Sequence, residues 1–366
     1  MIKQEQFFQI LQHFCYEGTP TSVVPIGNGL INDTYKVTTS GNDTPDYVLQ
    51  RINHAIFTDV DLLQRNIEAV TGHIRKKLEA RGMNDLDRRV LRFIPTAEGK
   101  TYYRSPEGSY WRLSVFIPRA MSYETVTPEH ALEAGLAFGD FECMLTDLDA
   151  PVGESIPDFH NMELRARQLR EAVAADAKGR LAEVRGIVDK LEARADRMCL
   201  AEQLYREGKL PKRICHCDTK VNNMLFDESG ELLCVIDLDT IMPSFVFSDY
   251  GDFLRTAANA TAEDDPELSH VRLKWDIIEQ FTRGYITSTK PFLTPIERDN
   301  LPYAAALFPF MQCARFLTDY LNGDVYYKIK YPAHNLDRTR NQLRLYELMT
   351  EAAPQLQQLI ADLAAE

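Results

Sequence analysis

The stretch HCDTKVNN, residues 216–223, together with the segment after it, constrains this chain more than any other feature. His216, Asp218, Lys220 and Asn223 fall within eight positions, between apolar Ile214-Cys215 and apolar Met224-Leu225-Phe226. A second apolar run, 232–236, follows Asp227-Glu228-Ser229-Gly230, a turn signal, so the two runs predict a β-hairpin. Folding it back brings the chain beside Asn223 at VIDLD, where Asp237 and Asp239 share a face at the strand exit. Asp218, Lys220, Asn223 and Asp237 are therefore expected at one edge. Carboxylate and amide oxygens suit a hard cation such as Mg²⁺, which keeps waters and accepts phosphate oxygens. Asp218, five residues before Asn223, is free to take a proton from a hydroxyl. The bland alternative is a buried polar turn with a satisfied histidine.

The sequence around this insert is divided. Short β-branched or aromatic runs at 21–26, 33–38, 47–52, 90–94 and 111–117, separated by Gly, Asn, Asp and Pro, predict an antiparallel meander. One helix interrupts it, opened by Thr58 and Asp61, carried by Leu63, Ile67, Val70, Ile74 and Leu78, and stopped at Gly82. After Pro118 the pattern turns helical over 129–145 and over 161–207, the latter read as two helices meeting near Gly186, and again from Leu268 onward. The reading is an α+β protein of two lobes, a β-rich part over 1–117 and a mainly helical part over 118–366.

Composition narrows the function classes. A net charge of −13 with a pI near 5.2 argues against sequence-independent nucleic-acid binding, which needs a basic face. The first residues lack the basic-then-apolar order of a secretory signal, and the apolar run around residues 303–317 is broken by Pro309 and Arg315. Seven cysteines without a CxxC pair read as reduced thiols of a cytoplasmic protein, not as a disulfide frame or a zinc site.

The pattern Asp-x-Lys-x-x-Asn, followed by a hairpin and an Asp, resembles the protein-kinase catalytic loop. With IGNGLINDTYKV, YVLQRIN, CVIDLDTIMP, DYGDFLR and RFLTDYLNGDVYYK, the chain is similar to the aminoglycoside phosphotransferase superfamily, and within it to the N-acetylhexosamine 1-kinase branch. The resemblance implies a protein-kinase-like fold, ATP and Mg²⁺ as cofactors, and a small-molecule acceptor, with the 1-phosphate of N-acetylglucosamine or N-acetylgalactosamine as product. Asp218 would be the base, Lys220 would offset phosphoryl charge, and Asn223 and Asp237 would hold the metal. Gly27 and Gly29 would let backbone amides approach phosphates, with Asn32 where the kinase pattern has a third Gly. Arg51 stands in for the absent strand lysine and is expected to pair with Glu68, and Phe116 and Ile117 would line the adenine site. Asp249 and Asp252 are expected to brace the catalytic loop. Asp239, Arg315, Asp319 and Tyr320 are the candidate substrate residues, with Tyr326 as a further stacking candidate.

Two other readings stay open. One is a kinase of another small alcohol, such as choline, homoserine, a methylthio-sugar or an aminoglycoside. The other is a nucleotide-binding protein without catalysis. A protein kinase is disfavoured, because TIMPSFVFSDYGD follows Asp237 too closely for an activation segment.

Overall fold

The computed structural model describes residues 3–27 and 31–366. The chain forms two compact units, each discontinuous in sequence: Met1–Ser122 with Asp147–Pro157 and Met224–Met242, and Tyr123–Thr146 with Asp158–Asn223 and Pro243–Glu366.

The first unit is built on a five-stranded antiparallel sheet. Its strands are β1 (Thr19–Pro25), β2 (Asp33–Ser40), β3 (Tyr47–Ile52), β4 (Tyr103–Arg104) and β5 (Tyr110–Val115), in the order β1-β2-β3-β5-β4. One face is apolar because alternate residues point the same way: Val23, Val37, Tyr47, Leu49, Trp111 and Leu113 pack under Phe7 and Leu11 of helix α1 (Gln4–Leu11). Helix α2 (Val60–Ala80) buries Leu63, Ile67, Val70, Ile74 and Leu78 at the expected spacing. Its N-cap is Asp59, whose carboxylate accepts from the Leu62 amide at 2.8 Å, in place of the expected Thr58 and Asp61 start. Residues 90–94 form no strand; they join the sheet through the Phe93–Ser114 bridge and flanking hydrogen bonds, with Ile94 in its core. A short helix α3 (Leu86–Arg89) precedes them.

The predicted hairpin belongs to this unit. Met224 pairs with Val235 and Phe226 with Leu232, and the Asp227 carboxylate accepts from the amides of Ser229 and Glu231, with Gly230 at φ 87°. Ile117 packs with Leu233 and Cys234, and Met121 and Phe226 exchange backbone hydrogen bonds, so the hairpin lies along the segment that follows β5.

The second unit is helical: α4 (Pro128–Met144), α5 (Met162–Ala175), α6 (Leu181–Met198), α7 (Leu200–Arg206), α8 (Phe247–Ala257), α9 (Trp275–Thr289), α10 (Pro295–Asp299), α11 (Leu301–Asn322) and α12 (His334–Ala365). The break expected near Gly186 falls at 176–180 instead. Asp176 is left-handed at φ 37°, Gly179 follows at φ 65°, and the Asp176 carboxylate accepts from the Leu181 amide. Helix α11 is the central element, apolar nearly all round, and packs against α5, α8 and α12. Helices α4 and α9 approach so closely that a Cβ on Gly135 would lie 2.2 Å from the Phe281 carbonyl oxygen, and one on Gly284 2.3 Å from the Leu132 carbonyl oxygen. Among the described residues no helix is long and apolar enough to cross a membrane.

Candidate active site

In the second unit the loop 216–223 follows a short strand, Arg213–Cys215, and ends in one turn of 3₁₀ helix at Val221–Asn223. Its conformation is irregular: Cys217 sits at φ 62°, a cost that surrounding bonds must offset. Asp249, at the start of α8, supplies them. Its two carboxylate oxygens accept from the amides of His216 (2.8 Å) and Cys217 (2.7 Å), and its carbonyl accepts from the Thr219 hydroxyl at 2.8 Å. Asp249 is thus the brace expected from DYGDFLR. Behind it lies Glu142 of α4, which accepts from the Tyr285 hydroxyl at 2.6 Å. Burial, with the neighbouring Asp249 charge, pushes the Glu142 carboxyl well above the usual range. His216 is fully buried, edge-on to Phe138 and Phe141, and its Nδ1 accepts from the Asp218 amide at 3.3 Å.

On the open side of the loop, Lys220 Nζ lies 2.7 Å from Asp218 Oδ1 and 2.9 Å from Oδ2. Asn223 Nδ2 donates to the Asp218 carbonyl at 2.8 Å and to Asp218 Oδ2 at 3.2 Å. Those bonds fix the amide so that its oxygen is the group left to face a cation. Asp252 is buried and takes two bonds from Arg255, at 3.0 and 3.1 Å, and Arg255 also binds Glu263 at 2.6 Å. Burial raises the Asp252 carboxyl, with Asp218 adding repulsion and Arg255 opposing it.

In the first unit Asp237 leaves the hairpin at φ 59°, left-handed, and starts a 3₁₀ turn at Leu238–Thr240. Non-glycine residues in this region concentrate at functional sites. Asp237 offers a carboxylate in the first unit and Asn223 an amide oxygen in the second, donor types that suit Mg²⁺ chemically.

The cation expected on the strand is placed differently. Arg51 does not pair with Glu68. It lies on the same apolar face as Tyr47 and Leu49 but is itself exposed, and binds Asp33 at 2.5 Å, whereas the Glu68 carboxylate accepts from the Thr101 hydroxyl. Period-two alternation sends Gln50 to the other face, where its cross-strand partner is Arg112 of β5. Arg112 is 3% exposed and binds Asp239 Oδ1 at 2.5 Å, with Gln50 Oε1 accepting from its Nε at 2.9 Å. Asn32 completes the set: its Nδ2 donates to Asp239 Oδ2 at 2.6 Å and its Oδ1 accepts from the Asn53 amide at 2.9 Å. Asp239 is committed to this network, so its carboxylate is not free for a substrate hydroxyl. Gly27 has φ 70° and open space around it, and Gly29 lies outside the described residues. Phe116 stacks under Lys36 at 4.2 Å, and Ile117 is buried beside the hairpin.

Of the late residues, Asp319 is a brace. Its carboxylate accepts from the amides of Val325, Tyr326 and Tyr327 and from Asn335 Nδ2, at 2.8–3.0 Å. Tyr320 faces away from any such role, with its hydroxyl on Glu183 at 2.9 Å and its ring under Arg180. Arg315 pairs with neither. It bonds Gln312 at 3.2 Å and lies over the rings of Phe159 and Tyr327, at 5.8 and 5.7 Å. Sequence reasoning passed over Arg112, Glu142, His160 and Arg165, and no local motif marks any of them.

Comparison with known proteins agrees with this arrangement. A family model described as "Phosphotransferase enzyme family" matches residues 22–285, well over half of the chain. An aminoglycoside phosphotransferase from Alicyclobacillus acidocaldarius has a similar structure, with 12% identity, 99% of this chain and 97% of that one covered, and a TM-score of 0.61. Amicoumacin kinase bound to AMP-PNP, Ca²⁺ and amicoumacin follows with 13% identity, 96% and 94% coverage and a TM-score of 0.60. A choline kinase from Streptococcus pneumoniae matches at 12% identity, 94% and 97% coverage and a TM-score of 0.51. At such identities the likeness establishes the fold, which is protein-kinase-like. With the family model spanning the loop 216–223, the hairpin and Asp249, the chain belongs to the phosphotransferase enzyme family.

Proposed function

We propose that this protein is an ATP- and Mg²⁺-dependent small-molecule kinase that phosphorylates the anomeric hydroxyl of N-acetylglucosamine or N-acetylgalactosamine. The observation that carries the kinase reading is the Asp218 carboxylate held between Lys220 and Asn223 on a loop braced by Asp249. The sugar reading rests on the QRIN, DLDT and RFLTDYLNGD stretches. The bound Ca²⁺ and AMP-PNP of amicoumacin kinase support a divalent metal and a nucleoside triphosphate. In this reading residues 1–117 are the nucleotide lobe and 118–366 the catalytic and acceptor lobe.

In the proposed mechanism Asp218 Oδ accepts the proton of the acceptor hydroxyl as that oxygen bonds the γ-phosphorus, and the bond to the bridging oxygen of the leaving ADP breaks. Lys220 offsets the charge that collects on the transferred group. Asn223 and Asp237 would hold Mg²⁺, which neutralises phosphate charge when bound. Catalysis is then mostly positioning, which explains why the loop is so heavily braced.

The test is ADP release with ATP and Mg²⁺ against amino sugars, plain hexoses, choline, homoserine and aminoglycosides, with ³¹P NMR of any product. An anomeric phosphate on an N-acetylhexosamine is the expected result. Phosphorylation of choline or an aminoglycoside alone would keep the kinase and discard the sugar. No turnover with any acceptor would count against the enzyme reading.

A further inference from the structure

The second unit holds a concentration of positive charge that the catalytic loop does not use. Arg165 of α5 and Arg315 of α11 both act on His160 and on one another electrostatically; Arg165 bonds the Phe159 carbonyl, and Arg315 lies over the rings of Phe159 and Tyr327. Among the described residues no carboxylate lies within ion-pairing distance of either guanidinium. Arg165 donates to the carbonyls of Asp158 and Phe159 and to Gln168, and its Nε is buried with no acceptor. Among the described residues Arg315 has Gln312 alone as a hydrogen-bond partner.

The nearby acids are spent elsewhere. Asp319, one turn along α11 from Arg315, is consumed by three amides and Asn335. Asp252 and Glu263 are matched to Arg255. Asp158 offsets Arg165 only weakly. Burial and the Arg315 charge lower the Arg165 guanidinium to about 10. The His160 imidazole is held well below its usual range by burial and by Arg315, Arg165 and Arg255. Arg255 is within electrostatic reach of Asp218 as well. Two half-buried guanidiniums with little counter-charge are costly to keep, and a ligand that brings negative charge lowers that cost.

We propose that Arg165 and Arg315 form an oxyanion site for the acceptor, so that the alcohol phosphorylated here carries an acidic group, a phosphate or sulfate ester or a carboxylate. Two planar guanidinium forks, that of Arg315 against the rings of Phe159 and Tyr327, suit a multi-oxygen anion set on a ring. The same charge repels cationic acceptors such as choline or a polyamine. This inference rests on the kinase reading for its place near Asp218, and it narrows the amino sugar to an acidic derivative.

The experiment compares N-acetylglucosamine with its 6-phosphate and 6-sulfate, in the wild type and in Arg165→Gln, Arg315→Gln and Arg315→Lys. The acidic sugars are expected to exceed the neutral one in kcat/KM by about 100-fold. Either Gln variant should remove that advantage through acceptor KM and leave ATP KM unchanged, and Arg315→Lys should restore part of it. Removing one of two repelling charges should also raise the ligand-free Tm by about 2 °C, so loss of folding cannot mimic the result. Calorimetry with inorganic sulfate gives a readout independent of turnover: binding to the wild type, competitive with acceptor and not with ATP, weakened at least tenfold in both Gln variants. Equal use of neutral and acidic sugars would overturn the oxyanion site and leave the sugar kinase standing. Absence of sulfate binding would overturn it whatever the acceptor screen shows.

Discussion

Arg112 Nη1 and Asp239 Oδ1 lie 2.5 Å apart, both side chains almost wholly buried on the inner face of the sheet. This pair lies on the sheet face opposite Arg51, the residue the sequence reading expected to be the phosphate-pairing cation. Asn32, at the end of the segment after β1, joins the same carboxylate, so the network links that segment to the turn beginning at Asp237.

Removing one member of a buried pair strands the other charge. Arg112→Gln is expected to cost about 3–5 kcal/mol in urea unfolding. The double change Arg112→Met with Asp239→Leu should recover most of that stability, because a matched apolar pair avoids the stranded charge. If the network sets the Asp237 turn, the double variant will still show a raised ATP KM. A double variant with wild-type ATP KM would reduce the pair to a purely structural role.

Asp218→Asn keeps shape and hydrogen bonding but cannot take a proton. Turnover should fall by about 10³-fold, and AMP-PNP binding by calorimetry should stay within a factor of two or three. Retained turnover would remove Asp218 from the base role.

Asp249→Ala leaves the buried amides of His216 and Cys217 without acceptors. The expected cost is about 3 kcal/mol in unfolding free energy. Turnover should fall further than stability accounts for, because Cys217 would no longer be held at φ 62°. Activity assays well below the variant's Tm separate the two effects.

His160 gives a pH dependence with a defined sign. Its folded pKa lies below the ordinary 6.5, through burial first and then Arg315, Arg165 and Arg255. Below pH 6.5 the unfolded chain binds the proton more readily, so this contribution, fully present above 6.5, is lost as pH falls toward the folded value. The loss is about 1.4 kcal/mol per pH unit in that window. Urea midpoints from pH 7.5 to 5.5 should drop less for His160→Gln than for the wild type, and parallel curves would contradict the assignment.

How much of this was legible depended on sequence distance. The hairpin, the loop 216–223 and the Asp249 brace are local patterns, each set by a turn signal, a short spacing or one helix start, and all could be read directly. Strand β3 was placed to the residue, yet Arg51 pairs with Asp33 and not Glu68, and the buried cation of the sheet, Arg112, was missed because alternation was not followed across to β5. Arg51 and Gln50 are neighbours in sequence and face opposite ways. Asp319 looked like a sugar ligand beside Arg315, but the chain turns back over it through Gly323 (φ 98°) and Asp324 (φ 61°) and lays three amides on its carboxylate. Arg165 and Arg315 are 150 positions apart, and only the packing of α5 on α11 makes them a pair.

The glycine contact between α4 and α9 bears on how this protein can change over time. Glu142 and Tyr285, which stand behind the catalytic loop, ride on those two helices, and neither Gly135 nor Gly284 has room for even a methyl group. Drift there is closed to almost every substitution. Arg165 and Arg315 stand on α5 and α11, outside that contact, where side chains can be exchanged without moving a backbone. If Arg165 and Arg315 bind the acceptor as proposed, acceptor preference can change by point substitutions while the glycine contact keeps Glu142 and Tyr285 in place.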